Sequence, residues 1–232
     1  MKKLGIIGAM EVEVETLVES LTEKEAHTKA GRTYYTGKLG QLDVVVVQCG
    51  VGKVNAAICA QTLCDHFGVT HLVNTGIAGS LNASLDIGDL VISTDAMYHD
   101  FDCVHFGYEM GRVPGMNVTA FPADPEMLRL AYSAGESVHP GHCRQGRIAS
   151  GDLFVAEKAA KEAIICKTQA LCTEMEGAAI AHTAYLNGVP FVIIRAISDK
   201  ADDSAHMDYP TFEAQAARHC AGVTLALAKN LL

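Results

Sequence analysis

Short apolar stretches that suit buried strands alternate with helix-like stretches along almost the whole chain. The strand-like stretches include "KLGIIG", "LDVVVVQCG", "THLVNTG", "DLVISTDAMYH" and "PFVIIRAIS", and helical spacing is seen in "MEVEVETLVESL", "GKVNAAICAQTLCDHF", "ADPEMLRLAYSAGESV" and "EGAAIAHTAYLN". Such alternation predicts a mixed sheet covered by helices on both faces. No linker or internal repeat interrupts it. We therefore predict an α/β fold in which residues 1–232 form a single domain around a central mixed, twisted β-sheet flanked by helices on both faces.

Composition excludes two classes of partner. The formal net charge of −9 argues against nucleic acid, because affinity for nucleic acid rests on Lys and Arg neutralising phosphates. The longest apolar runs fall short of the 18 or more residues that a membrane span needs, so no membrane partner is predicted. The eight cysteines show no paired spacing. They indicate free thiols and a cytoplasmic location.

Three predicted strands end in acidic residues. Glu13 follows "KLGIIG", Glu176 follows "QALC", and Asp199 follows "PFVIIRAIS". Because ligands of α/β proteins bind beyond the carboxyl ends of the strands, the three carboxylates indicate a site there. Each has an ordinary alternative. Thr173 and Glu176 fit a capping box, Glu13 suits the first turn of a helix, and Asp199 suits a helix cap.

Arg195 lies inside the apolar run "PFVIIRAIS". A buried arginine normally needs an anionic partner, and the neighbouring strand ends offer Glu13 and Glu176. Asp199 would then be free to donate a proton. Glu174 is interpreted as a charge at the start of the next helix.

Other motifs favour ordinary roles. "CGVGKVNAA" lacks the third glycine of a dinucleotide loop and the Ser or Thr of a Walker A loop, so it is interpreted as a tight strand-to-helix turn. The histidines and cysteines of "YHDFDCVHFGYEMGRVPG" and "HPGHC" follow no standard zinc spacing. Packing or surface roles are preferred for both, and no metal site is predicted. The first of these segments suits an interface or a substrate-lining loop.

Eight stretches in order carry a family resemblance: "GIIGAMEVEV", "GVGKVNAA", "NTGIAG", "DAMYHDFD", "FGYEMGRVPG", "SGDLFV", "TEMEGAAIAH" and "RAISDKAD". Together they resemble the bacterial 5′-methylthioadenosine/S-adenosylhomocysteine nucleosidases of the nucleoside phosphorylase superfamily, over nearly the whole chain. The resemblance implies a cofactor-free homodimer that hydrolyses the bond between adenine and a 5′-thio-substituted ribose, and also acts on 5′-deoxyadenosine. The implied role is in methionine salvage and in recycling S-adenosylmethionine by-products.

The resemblance also implies catalytic roles. Asp199 would protonate the purine at ring nitrogen 7, and Glu13 would position the attacking water. Glu176 would bind the ribose hydroxyls, with Met175 packing on the sugar. Arg195 would help to hold Glu176 and the water.

Further contacts to the base and ribose are implied. Phe154 would stack on adenine, the main chain of Val155 would bind the adenine edge, and Ser198 would orient Asp199. The loop after the third strand-like stretch would add Ile77, Ala78 and Gly79. Some family members carry Ser where this chain has Ile77, so one hydrogen bond must be lost or come from another group such as the main chain.

The 5′ end of the pocket is implied to combine two subunits. Its residues would be Met10, Val51 and Tyr209, with Cys103, Phe106 and Pro114 from the 99–116 loop of the partner subunit. Tyr209 stands where Phe is often found, which predicts a slightly more polar 5′ end.

Three alternatives are weighed against this hypothesis. A purine nucleoside phosphorylase would need cationic or amide donors for phosphate. The acidic residues Glu11 and Glu13 would repel that anion, and "NTGIAGSLNASLDIGDLVISTD" contains no Lys or Arg, so water is the favoured nucleophile. An aminodeoxyfutalosine nucleosidase shares the catalytic residues and stays open. A non-catalytic nucleoside-binding protein would be expected to lack one of the three carboxylates.

Overall fold

Ten strands among the described residues join in one mixed sheet. The computed structural model describes residues 2–201 and 205–231. The strands are β1 Lys3–Gly8, β2 Thr22–Lys29, β3 Arg32–Leu39, β4 Leu42–Gln48, β5 His71–Ser80, β6 Leu90–Tyr98, β7 Phe121–Pro122, β8 Cys143–Ser150, β9 Cys172–Glu174 and β10 Phe191–Asp199. The helices are α1 Glu11–Glu19, α2 Lys53–Asp65, α3 Pro125–Val138, α4 Lys158–Thr168, α5 Gly177–Asn187 and α6 Ala205–Asn230.

The centre of the sheet is parallel. β4, β1, β5 and β10 pair in that order and run in the same direction, whereas β2 and β3 extend the sheet beyond β4 as antiparallel strands. On the other side, β10 pairs with β6, β6 with β8, β8 with β9, and β9 with the end of β5. These pairings close a ring of five strands that the sequence pattern did not predict.

Helices cover both faces of the sheet. Side chains from α1, α3 and α6 share one core cluster, and side chains from α2 and α5 share a second cluster across the sheet. The predicted α/β fold with helices on both faces is therefore confirmed. No helix in the described part of the chain is both long and apolar enough to cross a membrane.

Three strands were absent from the sequence prediction: β2, β8 and the two-residue β7. β2 reads "TEKEAHTK" and is exposed at nearly every position, and it forms the edge of the sheet beside β3. Charged residues on an edge strand discourage pairing with other chains, but they hide the apolar alternation that marks a strand. β8 reads "CRQGRIAS" and its first half is equally polar.

Candidate active site

A cavity of about 570 Å³ opens at the carboxyl ends of β1, β5 and β10, beside β9. Most of the predicted site residues line it. The lining residues are Ala9, Met10, Glu13, Val51, Ile77, Ala78, Gly79, Phe154, Thr173, Glu174, Met175, Glu176, Ser198, Asp199, Tyr209 and Pro210. The structure thus brings the acids of the separate strand ends to one place.

Glu13 is held by main-chain amides rather than by solvent. Its Oε2 accepts hydrogen bonds from the amides of Ala9 (2.6 Å) and Met10 (3.0 Å), and its Oε1 accepts one from the amide of Ile77 (3.0 Å). The carboxylate is 2% exposed, and burial raises the pKa of Glu13 although Arg195 and the three amides oppose that shift. A buried carboxylate with a raised pKa is a good proton acceptor.

The Ile77 amide thus contacts Glu13, and whether main chain replaces the missing serine hydrogen bond to water or ribose stays a prediction. A side chain at the preceding position, Gly76, would collide with the guanidinium of Arg195 and with the carboxylate of Glu13. Glycine at position 76 thus allows both charged groups to lie against β5.

Arg195 is fully buried on β10, among three glutamates. Its closest carboxylate is that of Glu174, which contacts Nη2, while Glu176 Oε2 lies 3.7 Å from Nη2 and Glu13 Oε1 lies 4.0 Å from Nη1. Burial alone would lower the pKa of Arg195, but the carboxylates, Glu174 first, raise it. The guanidinium is therefore charged, and Nη2 also donates to Asn74 Oδ1 at 2.5 Å.

The sequence had offered Glu13 and Glu176 as the partners of Arg195, so the principal partner was missed. Glu174 ends β9 and points at β10 because the two strands lie on either side of β5. A buried arginine needs a carboxylate partner. A search for one in the strand before the "EGAAIAH" helix would have identified Glu174.

The predicted capping box of Thr173 and Glu176 is wrong. α5 begins at Gly177, and its cap residue Glu176 makes no side-chain capping bond. Instead Glu174 Oε2 accepts from the amides of Glu176 (3.0 Å) and Gly177 (2.7 Å), which confirms Glu174 as the helix-start charge. Thr173 lies in β9, paired with Gly79, so Glu176 is left to face the cavity.

Replacing Arg195 with Met is expected to lower the free energy of unfolding by about 3–5 kcal/mol, because it leaves buried carboxylates without their cation. Urea unfolding followed by circular dichroism measures this change. Arg129→Met is the matched control, since Arg129 is exposed on α3. Equal stability of the two variants would show that the buried ion pairs do not stabilise the fold.

Glu176 reaches across the cavity mouth to the turn before α2. Its Oε1 accepts a hydrogen bond from the amide of Gly52 at 2.9 Å, where a φ of 99° favours glycine. Burial, followed by the negative charge of Glu174, raises the pKa of Glu176 to about 7. Glu176 therefore exchanges its proton near neutral pH, and when ionised it offers oxygens to sugar hydroxyls.

The raised pKa of Glu176 makes stability depend on pH. Since the value rises from 4.5 to about 7 on folding, the contribution of Glu176 is fully present below about pH 4.5 and is lost as pH rises through 7. Wild type should therefore lose up to about 3 kcal/mol relative to Glu176→Gln between pH 4.5 and pH 8. Urea unfolding at both pH values measures the difference, with exposed Glu162→Gln as control. Parallel pH dependence of wild type and Glu176→Gln would contradict the shift.

Asp199 ends β10 with its carboxylate inside the cavity. Oδ2 accepts from Ser198 Oγ (2.9 Å) and Oδ1 accepts from the amide of Ala201 (2.8 Å). A side chain at Gly79 would come within 2.8 Å of Oδ1, so the glycine leaves room for the acid. The contact with Ser198 is the one that the resemblance implied.

The far end of the cavity is lined by thioether and aromatic groups. Tyr209 Oη lies 3.1 Å from Met10 Sδ and donates to Glu213 Oε1 at 3.3 Å. The rings of Phe154 and Tyr209 meet edge to face, with their centroids 5.6 Å apart. The hydroxyl of Tyr209 and the carboxylate of Glu213 make this end more polar than a phenylalanine would.

Five predicted site residues do not line the cavity of this chain. Arg195 lies behind the wall, paired with Glu174. Val155 is buried in a small cluster with Leu81 and Ala149. Cys103, Phe106 and Pro114 lie on the 99–116 loop and are absent from the cavity wall. Their assignment to the cavity of a second subunit stays a prediction.

Comparison with known proteins places this site in a family. The family model of the phosphorylase superfamily matches residues 3–229. The fold and the acidic cavity thus define a member of the phosphorylase superfamily.

The 5′-methylthioadenosine/S-adenosylhomocysteine nucleosidases of two bacteria are similar over the full chain. The protein of Staphylococcus carnosus is 42% identical over 231 residues, covering 98% of this chain and 100% of its own. The protein of Chromohalobacter salexigens is 40% identical over 232 residues, covering 100% and 98%. Within the superfamily, the chain belongs to the 5′-methylthioadenosine/S-adenosylhomocysteine nucleosidases.

Two solved structures are similar in fold and length. The nucleosidase of Neisseria meningitidis, in complex with methylthio-immucillin-A, has a TM-score of 0.97 and 36% identity, with full coverage (100%) of both chains. The futalosine hydrolase of Helicobacter pylori has a TM-score of 0.95 and 30% identity, covering 99% of this chain and 98% of its own.

Proposed function

We propose that this chain hydrolyses the N-glycosidic bond of 5′-methylthioadenosine and S-adenosylhomocysteine, and of 5′-deoxyadenosine, to adenine and the 5′-substituted ribose. The observation that carries the proposal is the acidic cavity. Four carboxylates, those of Glu13, Glu174, Glu176 and Asp199, surround a space of about 570 Å³, and the guanidinium of Arg195 lies behind them. Such a site stabilises a sugar that becomes cation-like as the bond breaks.

Asp199 is assigned as the general acid. Adenine is a poor leaving group as an anion, so a proton delivered to ring nitrogen 7 lowers the barrier to bond cleavage. The hydrogen bonds from Ser198 and from the amide of Ala201 fix the Asp199 carboxyl group. Phe154 on the cavity wall would stack on the base, and the main chain of Val155 would bind its edge.

Glu13 is assigned as the base that orients and deprotonates the attacking water. Three main-chain amides hold its carboxylate at the inner wall, and burial raises its pKa. Glu176 would accept hydrogen bonds from the ribose hydroxyls while Met175 packs on the sugar. Arg195 is a positioning residue, since it fixes Glu174, which in turn holds the backbone beside Glu176.

Water is favoured over phosphate as the nucleophile. Of the described residues that line the cavity, none is a lysine or an arginine, and Arg195 lies behind it, paired to Glu174. A phosphate dianion entering the cavity would meet carboxylates without a free cation to balance it. Water carries no charge and needs only a base.

A panel of nucleosides tests this function. Chromatography measures adenine release from methylthioadenosine, S-adenosylhomocysteine, 5′-deoxyadenosine and aminodeoxyfutalosine, and hypoxanthine release from inosine as a base-specificity control. Release from the first two compounds supports the proposal. Release from neither would overturn it, and release from aminodeoxyfutalosine alone would favour the aminodeoxyfutalosine nucleosidase alternative.

We further propose that the functional unit is a homodimer in which the 99–116 loop closes the 5′ end of the other subunit's cavity. Phe106 is 82% exposed and Val104 is 49% exposed, although both are apolar. Exposed apolar side chains on one loop are typical of a surface that another protein covers. A second copy is the proposed occupant because the family resemblance places this loop at the 5′ end of the other subunit's cavity.

Phe106→Glu is expected to weaken dimerisation and to raise KM for methylthioadenosine about tenfold or more, since a charge replaces an apolar side chain at the covered surface. Light scattering and steady-state kinetics measure the two effects. Val138→Glu is the control, because Val138 is a partly exposed apolar residue (39%) at the end of α3. A Phe106→Glu dimer with unchanged KM would refute the shared pocket.

A cytoplasmic location is also proposed. All eight cysteines are free, and five of them are buried. Buried free thiols suit a reducing compartment, where disulfides rarely form.

A further inference from the structure

Three side chains with metal-binding groups meet away from the cavity. Asp89 lies just before β6, and His139 and His142 lie in the turn between α3 and β8. One ligand atom from each lies within 4.8 Å of the others. Asp89 Oδ1 is 2.7 Å from His142 Nδ1, and the two imidazole rings stack with centroids 4.2 Å apart. None of the three lines the cavity of the active site.

A fourth imidazole approaches the same cluster from α6. The ring centroid of His219 is 5.0 Å from that of His139. His219 Nδ1 lies 3.4 Å from the carbonyl oxygen of Gly88, next to Asp89 in the chain. A histidine whose Nδ1–H donates to a carbonyl has its Nε2 available as a ligand, and this arrangement is common behind metal-binding histidines.

The main chain holds the carboxylate of the cluster in place. Asp89 itself is buried, and its Oδ2 accepts from the amide of Asp86 at 2.9 Å. The carboxylate of Asp89 is therefore fixed by the main chain, and it faces the imidazoles of His139 and His142.

We propose that Asp89, His139 and His142 bind a divalent transition-metal ion, Zn²⁺ in particular, with His219 as the fourth protein ligand. Imidazole nitrogen and carboxylate oxygen are ordinary zinc ligands, and four of them satisfy its tetrahedral preference. Mg²⁺ and Ca²⁺ are disfavoured because they prefer oxygen ligands throughout. The sequence had favoured an ordinary role for "HPGHC" because it follows no standard zinc spacing. Asp89 and His219 are distant from it in the chain.

The position of the cluster indicates a structural role. It joins the start of β6, the turn after α3 and the middle of α6, three segments distant in sequence. The carbonyl oxygen of Asp89 accepts from the amide of Ile197 at 2.9 Å, on the strand that carries the candidate acid. A bound ion would fix these segments to one another and raise the thermal midpoint, because it binds the folded chain only.

The test is metal binding by the untagged full chain after treatment with a chelator. Calorimetry measures the Zn²⁺ affinity of wild type, His139→Gln and His142→Gln. Thermal unfolding gives the midpoint of each with Zn²⁺, with Mg²⁺ and without added metal. We expect one Zn²⁺ per chain, a higher midpoint with Zn²⁺ alone, and an affinity at least about tenfold lower in each variant. His66→Gln, at an exposed histidine outside the cluster, should bind as wild type does.

Co²⁺ identifies the ligand type, because cysteine thiolates give a charge-transfer band in the near ultraviolet that imidazole and carboxylate do not. Absorption confined to the visible range supports the proposal. A thiolate band, no Zn²⁺ binding, or equal affinity in wild type and in correctly folded cluster variants would overturn it. Circular dichroism and adenine release establish that the variants are folded.

Discussion

Asp199→Asn is expected to lower kcat/KM for methylthioadenosine by about 10²–10⁴-fold, the usual contribution of a positioned general acid. The substitution removes the proton and little else. An asparagine oxygen can still accept from the amide of Ala201, and its NH₂ group can donate to Ser198 Oγ, so both observed hydrogen bonds have a replacement. Steady-state adenine release gives the rate.

The control for Asp199→Asn is Asp86→Asn. The side chain of Asp86 is 87% exposed and contacts Lys200 Nζ at 3.0 Å, so this variant should keep the wild-type rate. A fall of less than about threefold in a folded Asp199→Asn enzyme would remove Asp199 from the acid role.

Glu13→Gln is expected to lower kcat by about 10²–10⁴-fold through loss of the base. A second effect adds to the first. Both carboxylate oxygens accept from main-chain amides, whereas glutamine has one oxygen and would turn its NH₂ group toward at least one N–H. One buried donor left unpaired costs about 1–3 kcal/mol of stability, which urea unfolding measures separately from the rate.

Glu15→Gln is the matched control for Glu13→Gln. Glu15 lies two residues further along α1 and is exposed, so its substitution should change neither rate nor stability beyond error. Similar rates for the two variants would refute the role of Glu13 as base, and an unchanged unfolding free energy of Glu13→Gln would refute the account of its amide contacts.

The alternation of strands and helices predicted most of the fold, because buried strands such as β10 are continuously apolar and amphipathic helices show their period. β2 and β8 were not predicted, because many of their side chains are polar and face solvent or lie at an edge of the sheet. The ring of strands from β5 through β10, β6, β8 and β9 rests on pairings between distant residues, which no local pattern encodes.

The sequence predicted which acidic residues meet at the candidate site, but not which of them pairs with Arg195. Glu13, Glu176 and Asp199 stand at strand ends, and the topology of a parallel sheet brings such ends together. Which glutamate pairs with Arg195 depends on angstrom-scale distances across three strands. That is why Glu174 was interpreted as a helix-start charge alone, although it serves as both that and the principal ion-pair partner.

The identity of the nucleophile tests the central claim most directly. The chain is incubated with methylthioadenosine in phosphate buffer and in phosphate-free buffer, and the products are followed by phosphorus NMR and by adenine release. Hydrolysis at an acidic cavity predicts equal adenine release in both buffers, with inorganic phosphate as the only phosphorus resonance in the phosphate buffer. Adenine release that requires phosphate, with a sugar 1-phosphate resonance growing in step with it, would contradict the account.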